Sequence, residues 1–239
     1  MTTTATPATL DDRLALADWR RRVAVLYAEV RERAENDPHG AWQHWRATRE
    51  WLFRHHPQSP VPADRRATFS ASHWPYDASL RFEAVVTPAA EPPAERMDAR
   101  QPELPQGGLG FGALVTLPNS GDDDLGFTKI GVVTIPLADR ERQLPLFWLH
   151  GYAGGLFLPF RDATSGTETY GAGRYLIDAA KSADLGGDLD KGTITIDFNF
   201  AYQPSCAWDP RWACPLAPPE SRLDIAIRAG EHLGGWRHG

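Results

Sequence analysis

The chain of 239 residues carries a net charge of −6, 42% hydrophobic residues, 20 prolines and 21 glycines, a composition that buries a sizeable core while turning often. Its arginines are dispersed among acids rather than gathered in a stripe, which argues against nucleic acid as a partner, and no uncharged apolar run reaches the roughly 18 residues of a membrane span. Cys206 and Cys214 are fewer cysteines than a secreted disulfide scaffold uses, so the expected location is the cytoplasm.

The opening MTTTATPATLDD lacks the basic start and apolar run of a signal peptide. Thr9 and Asp12 are spaced as a capping box, and Trp19, Val23, Leu26, Tyr27 and Val30 recur at helical spacing, predicting an amphipathic helix over residues 10–35 that exits at Pro38 and Gly40. A shorter helix is expected over 41–55, with Trp42, Trp45 and Leu52 on one stripe and Pro57, Pro60 and Pro62 beyond its end. The aromatic series Trp19, Trp42, Trp45 and Trp51 suits packing of helices on a sheet. Residues 1–66 therefore form a helical brace, expected to make one structural unit with a β-rich domain over 67–239.

From Phe69 onward the hydrophobic period changes to two. Leu80, Phe82, Ala84 and Val86 alternate with their neighbours, as do Ile194, Ile196, Phe198 and Phe200. Further strands are expected near 111–117, 127–136, 143–151, 155–161, 173–178 and 222–228. The Pro-, Ala- and Glu-rich stretch 88–108 reads as an extended loop. So many strands without an intervening helix predict a mainly β fold, an antiparallel meander closing into a barrel-like or strongly curved sheet with the two helices packed outside.

Three ordered motifs follow: FRDATSGTETYGAGRYL from Phe160, DFNFAYQPSCA from Asp197, and CPLAPPESRL with IRAGE, ending at Glu231. In these the chain resembles a bacterial and archaeal family of unknown function, number sixteen eighty-four in the domain-of-unknown-function series. It departs from the family's pattern at Gln203 and Ser221, where Asn is usual. The resemblance implies a relative and no activity, cofactor or catalytic residue.

The motifs concentrate Arg161, Asp162, Glu168, Tyr170, Arg174, Asp197, Asn199 and Tyr202. Were Asp197 and Asn199 on one strand face lining a lumen, two arginines could hold an anionic group while a carboxylate served as base, the chemistry of hydrolysis or proton transfer. Asp197 is the catalytic candidate, with His150, at the end of LPLFWLH, as a proton shuttle. Cys206 and Cys214 are candidate metal ligands, but their spacing fits no zinc ribbon, and a thiol pair or local disulfide is the simpler reading. The glycine run 107–112 leads into a strand rather than a helix, so neither a dinucleotide nor another organic cofactor is expected. The expectation is a pocket for a small anionic or polar molecule. The alternative is a non-enzymatic structural or interaction module, whose motif residues hold the Pro-rich loop in place.

Overall fold

The computed structural model describes residues 9–89, 114–117, 120, 126–137, 139–151 and 154–236. The first helix, α1 (Leu10–Ala34), opens on the capping box: the Thr9 hydroxyl accepts the Asp12 N–H at 3.1 Å and the Asp12 carboxylate accepts the Thr9 N–H at 2.9 Å. All five residues of its predicted stripe are buried. The second helix, α2 (Pro38–His55), begins earlier than the sequence suggests. Asp37 caps it through the Gly40 N–H at 2.8 Å, and Pro38 occupies the first turn, where a missing N–H costs nothing. Trp42, Trp45, Leu52 and Phe53 are buried on its inner face, whereas Trp51 is 48% exposed and stacks on His55.

The fold is mainly antiparallel sheet, curled into a half-barrel, plus the two N-terminal helices. Its strands are β2 (Arg81–Pro88), β3 (Leu114–Thr116), β4 (Gly126–Pro136), β5 (Glu141–Leu149), β6 (Gly155–Phe160), β7 (Arg174–Asp178), β8 (Gly187–Asp188) and β9 (Thr193–Asp197). They lie in the order β7-β6-β5-β4-β2-β9-β8, with β3 on β4. Two short strands, β1 (Ser72–His73) and β10 (Glu231–His232), pair separately. Consecutive strands β4 to β7 form the expected meander. β2 shares its length, pairing β9 over Arg81–Val85 and β4 over Val85–Pro88. Beyond β9 the chain crosses to the far edge, where Tyr202 and Tyr175 of β7 exchange backbone hydrogen bonds of 2.9 and 3.1 Å. The chain that leaves β9, next to the β8 edge, thus bonds the β7 edge, which requires the sheet to curl.

Alternation divides the apolar side chains between two faces. Phe127, Phe147, Phe157 and Tyr175 pack with α1 and α2, while Val133, Leu144, Leu146, Leu158 and Phe160 pack with Leu223, Ile227 and Ala229. Two expected strands differ. The segment 222–228 forms no strand; it meets the loop after β6 through the Arg161–Arg222 bridge and an Ala163 N–H to Ile225 carbonyl bond of 2.9 Å, and further along the Ile227 carbonyl is taken by a side chain instead of a neighbouring strand. β9 stops at Asp197 because that carboxylate accepts the Asn199 N–H at 2.9 Å and turns residues 198–200 into a tight 3₁₀ bend. The loop predicted over 88–108 and the glycine run 107–112 lie largely outside the described residues. Among the described residues no helix is long and apolar enough to cross a membrane.

Candidate functional site

The motif residues separate into three places. In the first, Arg174 of β7 is 1% exposed and fans out to the C-terminal segment. Its guanidinium donates to the carbonyls of Ile227 at 2.8 Å, Glu231 at 3.3 Å and Ala229, and to the Asp162 carboxylate at 3.3 Å. Asp162, fully buried, also accepts the Ile227 N–H at 2.6 Å and the Thr164 hydroxyl at 2.7 Å. Glu168 forms a two-pronged pair with Arg228 at 2.9 and 3.0 Å near the surface. Arg161 lies on the same loop, its backbone bridged to Arg222. Burial lowers the Arg174 pKa to about 10 against the pull of Asp162, so the group remains charged at neutral pH.

In the second place, Asn199 grips Asp77 through both backbone groups at 2.8 Å and donates to Asp197 at 2.7 Å. Arg81 approaches Asp197 at 3.4 Å, and burial raises that carboxyl despite the hydrogen bonds from Asn199. These bonds hold the approach to β2 against the bend after β9. His150, the other catalytic candidate, sits apart in contact with the Thr128 hydroxyl at 2.6 Å.

The third place is a cavity of about 280 Å³ between the helices and the sheet. Of the eight expected ligand residues, Tyr202 lines it. Trp19, Phe53, Phe127, Leu149 and Phe157 form an apolar wall; Arg49, Asp178, Lys181, Gln203 and Trp212 supply the polar end. Asp178 accepts from Lys181 at 2.8 Å and from the Tyr202 hydroxyl at 3.0 Å. Arg49 lies over the Tyr202 ring at 4.6 Å and donates to Glu231 at 2.5 and 3.1 Å. Glu231, fully buried, accepts the Gln203 N–H at 2.8 Å as well. Gly230 permits this approach: at φ +78°, a Cβ there would lie 2.3 Å from the Ala201 carbonyl oxygen. Burial pushes the Glu231 carboxyl up, but the charge and hydrogen bonds of Arg49 outweigh it and the net shift is downward.

Arg49, Asp178, Lys181, Gln203, Trp212 and Glu231 lay outside the sequence-based site. Arg49 had a legible signal, a charge on the buried stripe Trp42, Trp45, Leu52, where only a paired cation is tolerated. Glu231 ends the IRAGE motif. Cys206 and Cys214 are buried, unbridged and adjacent, with the Cys206 N–H donating to the Cys214 sulfur at 3.4 Å. Among the described residues no three His, Cys, Asp or Glu side chains gather to hold a metal ion.

His73 faces Glu231 at 3.9 Å with its side chain 1% exposed, its Nδ1 in contact with the Ala71 carbonyl. Burial lowers its pKa from 6.5 to about 4. The unfolded chain therefore takes up a proton first as pH falls, so stability is expected to decline from pH 6.5 to about 4 by roughly 3 kcal/mol. Denaturant titrations across that range would check it, since His73→Phe should flatten the slope.

The likenesses to known proteins agree with this architecture. A solution structure of an uncharacterised protein from Haloarcula marismortui is similar at 30% identity and a TM-score of 0.55, over 84% of this chain and 97% of that one. No curated protein matches the sequence. The family model described as protein of unknown function (DUF1684) matches residues 68–232, from just before β1 to the end of β10 and including all three motifs, and the chain belongs to that family.

Proposed function

We propose that this is a cytoplasmic protein that binds a small amphipathic molecule in the cavity, an apolar body against Trp19, Phe53, Phe127 and Phe157 and a carboxylate at the polar end. The observation that carries this reading is a pair of donors without acceptors. Gln203 Nε2 and Trp212 Nε1 belong to residues lining the cavity, are buried, and meet no partner among the described residues. The Gln203 amide cannot simply be reversed, because its oxygen already accepts the Tyr170 N–H at 2.9 Å. Each buried orphan donor costs about 1–3 kcal/mol, which a ligand acceptor would offset. Lys181 and Arg49 stand nearby, each paired with one carboxylate, and an anion is selected over a neutral acceptor because it makes the stronger, charge-assisted bonds to the two donors. A volume of about 280 Å³ suits a compact ligand, close to the lower end of the roughly 300–1,000 Å³ range of small-molecule sites.

Calorimetric titration with phenylacetate, phenylpropionate and hexanoate, against their neutral amides, tests the proposal. Trp212→Phe removes a donor that bonds nothing in the unliganded protein. It is expected to keep or raise the melting temperature while weakening carboxylate binding about tenfold or more. Absence of binding by all three acids, or equal binding by Trp212→Phe, would reject the assignment. The structural-module reading would then take its place, favoured by the way Asp162, Arg174, Asp197 and Asn199 direct their hydrogen bonds at the protein's own backbone.

A further inference from the structure

Cys206 and Cys214 stand at either end of a seven-residue stretch, Ala207 to Ala213, that folds back on itself. The Cys214 backbone is fixed on both sides by Ser120, whose N–H donates to the Cys214 carbonyl at 3.0 Å and whose hydroxyl accepts the Cys214 N–H at 2.9 Å. The two side chains hydrogen-bond to each other, and the Tyr170 hydroxyl reaches Cys206. Both thiols are almost wholly shielded from bulk solvent, but Cys214 forms part of the cavity wall. The rim of that cavity includes Leu16 and Arg20 on the exposed side of α1, so a small solute has a way to the pair.

We propose that Cys206 and Cys214 form a redox-active dithiol that reduces a small hydroperoxide reaching it through the cavity and closes to a disulfide. This chemistry goes beyond carboxylate binding and does not depend on it. Cys214 is the attacking sulfur, because it stands on the cavity wall where the hydroperoxide arrives and accepts the Cys206 N–H at 3.4 Å. Lys181 lines the same cavity, and its charge favours a thiolate there. Cys206, behind it and reached by the Tyr170 hydroxyl, is the resolving thiol.

In the first step the Cys214 thiolate attacks the distal peroxide oxygen, the O–O bond breaks, and the alkoxide leaves as alcohol with the proton that Cys214 released on ionising. Cys214 is then a sulfenic acid. In the second step the Cys206 sulfur attacks it, the S–S bond forms, the S–O bond breaks, and hydroxide leaves as water with the Cys206 proton. Two thiols give up two electrons and the hydroperoxide accepts two.

The test exposes the fully reduced protein to a modest excess of hydrogen peroxide or cumene hydroperoxide at pH 7, followed by alkylation in denaturant, trypsin digestion and mass spectrometry. The expected product has lost two hydrogens and links fragment 192–211, which holds Cys206, to fragment 212–222, which holds Cys214. Dithiothreitol should reopen it. Oxidation should be about tenfold or more faster than in the urea-unfolded chain, where both thiols have ordinary reactivity. In Cys206→Ser, dimedone should trap a sulfenic acid at Cys214. Both cysteines alkylated as in the untreated protein, oxidation to sulfinic acid without a link, or a rate equal to that of the unfolded chain would each overturn the proposal. Because the readout uses no carboxylate, its failure leaves the ligand assignment standing.

Discussion

Arg174→Met is expected to lower the melting temperature by about 10 °C, corresponding to roughly 3–5 kcal/mol at about 2–4 °C per kcal/mol for a chain of this size. Methionine keeps the apolar stem of the side chain but carries no donor. The carbonyls of Ile227, Ala229 and Glu231 would lose their partner inside the protein, and Asp162 would be left as a buried carboxylate without its counter-charge. The guanidinium also rests on the Phe160 ring at 4.9 Å. Arg174→Lys should recover only part of the loss, because an ammonium is a point donor and cannot span the fan of acceptors. Differential scanning calorimetry measures both variants. A Met variant melting within 2 °C of the parent, a margin of about 1 kcal/mol, would mean that Arg174 is not the tie between β7 and the C-terminal segment.

Glu231→Gln is the second large effect, expected to cost about 3 kcal/mol at neutral pH. Neutral glutamine leaves Arg49, whose side chain is 13% exposed, without an anion, while one of the acceptors for Arg49 and the Gln203 N–H becomes an amide nitrogen. The pH dependence distinguishes charge from shape. The folded carboxyl titrates below its reference value of 4.5, so its stabilisation is complete above that value and is lost as pH falls through the folded pKa. Denaturant unfolding should therefore show the parent and Glu231→Gln converging in acid. A gap that is the same at pH 3 as at pH 7 would exclude the ion pair as its source. Adding Arg49→Met to Glu231→Gln should cost less than the two single losses together, since the second change removes the stranded charge.

The parts of this fold legible in the sequence are those set by near neighbours. The capping box at Thr9 and the stripe from Trp19 to Val30 locate α1, and alternation in residues 81–88 and 193–197 locates two strands. Asp197 and Asn199 show where local reading fails. A period of two places them on one strand face, but the Asp197 carboxylate bonds the backbone two residues ahead and ends the strand. The segment 222–228 has strand-like composition, yet its partner further along is a guanidinium, which no periodicity announces. The cavity was out of reach for a related reason. Its polar end joins α2 to the turn after β7 and the stretch after β9, and the residues concerned are neighbours only after the sheet has curled.

Arg49 and Glu231 are 182 residues apart in the chain, and β1 finds its partner only in β10. During synthesis α1 and α2 are made before the sheet, whereas two of the rings that cover Trp45 and Phe53, Phe200 and Trp208, follow only after β9. Until β9 has been made, the helices therefore present aromatic surface that only their own contacts and Phe69 cover. Such long-range closure makes folding slow, and the waiting intermediate is prone to aggregate. Yield in cells should accordingly depend on chaperone capacity more than the finished protein's stability would suggest.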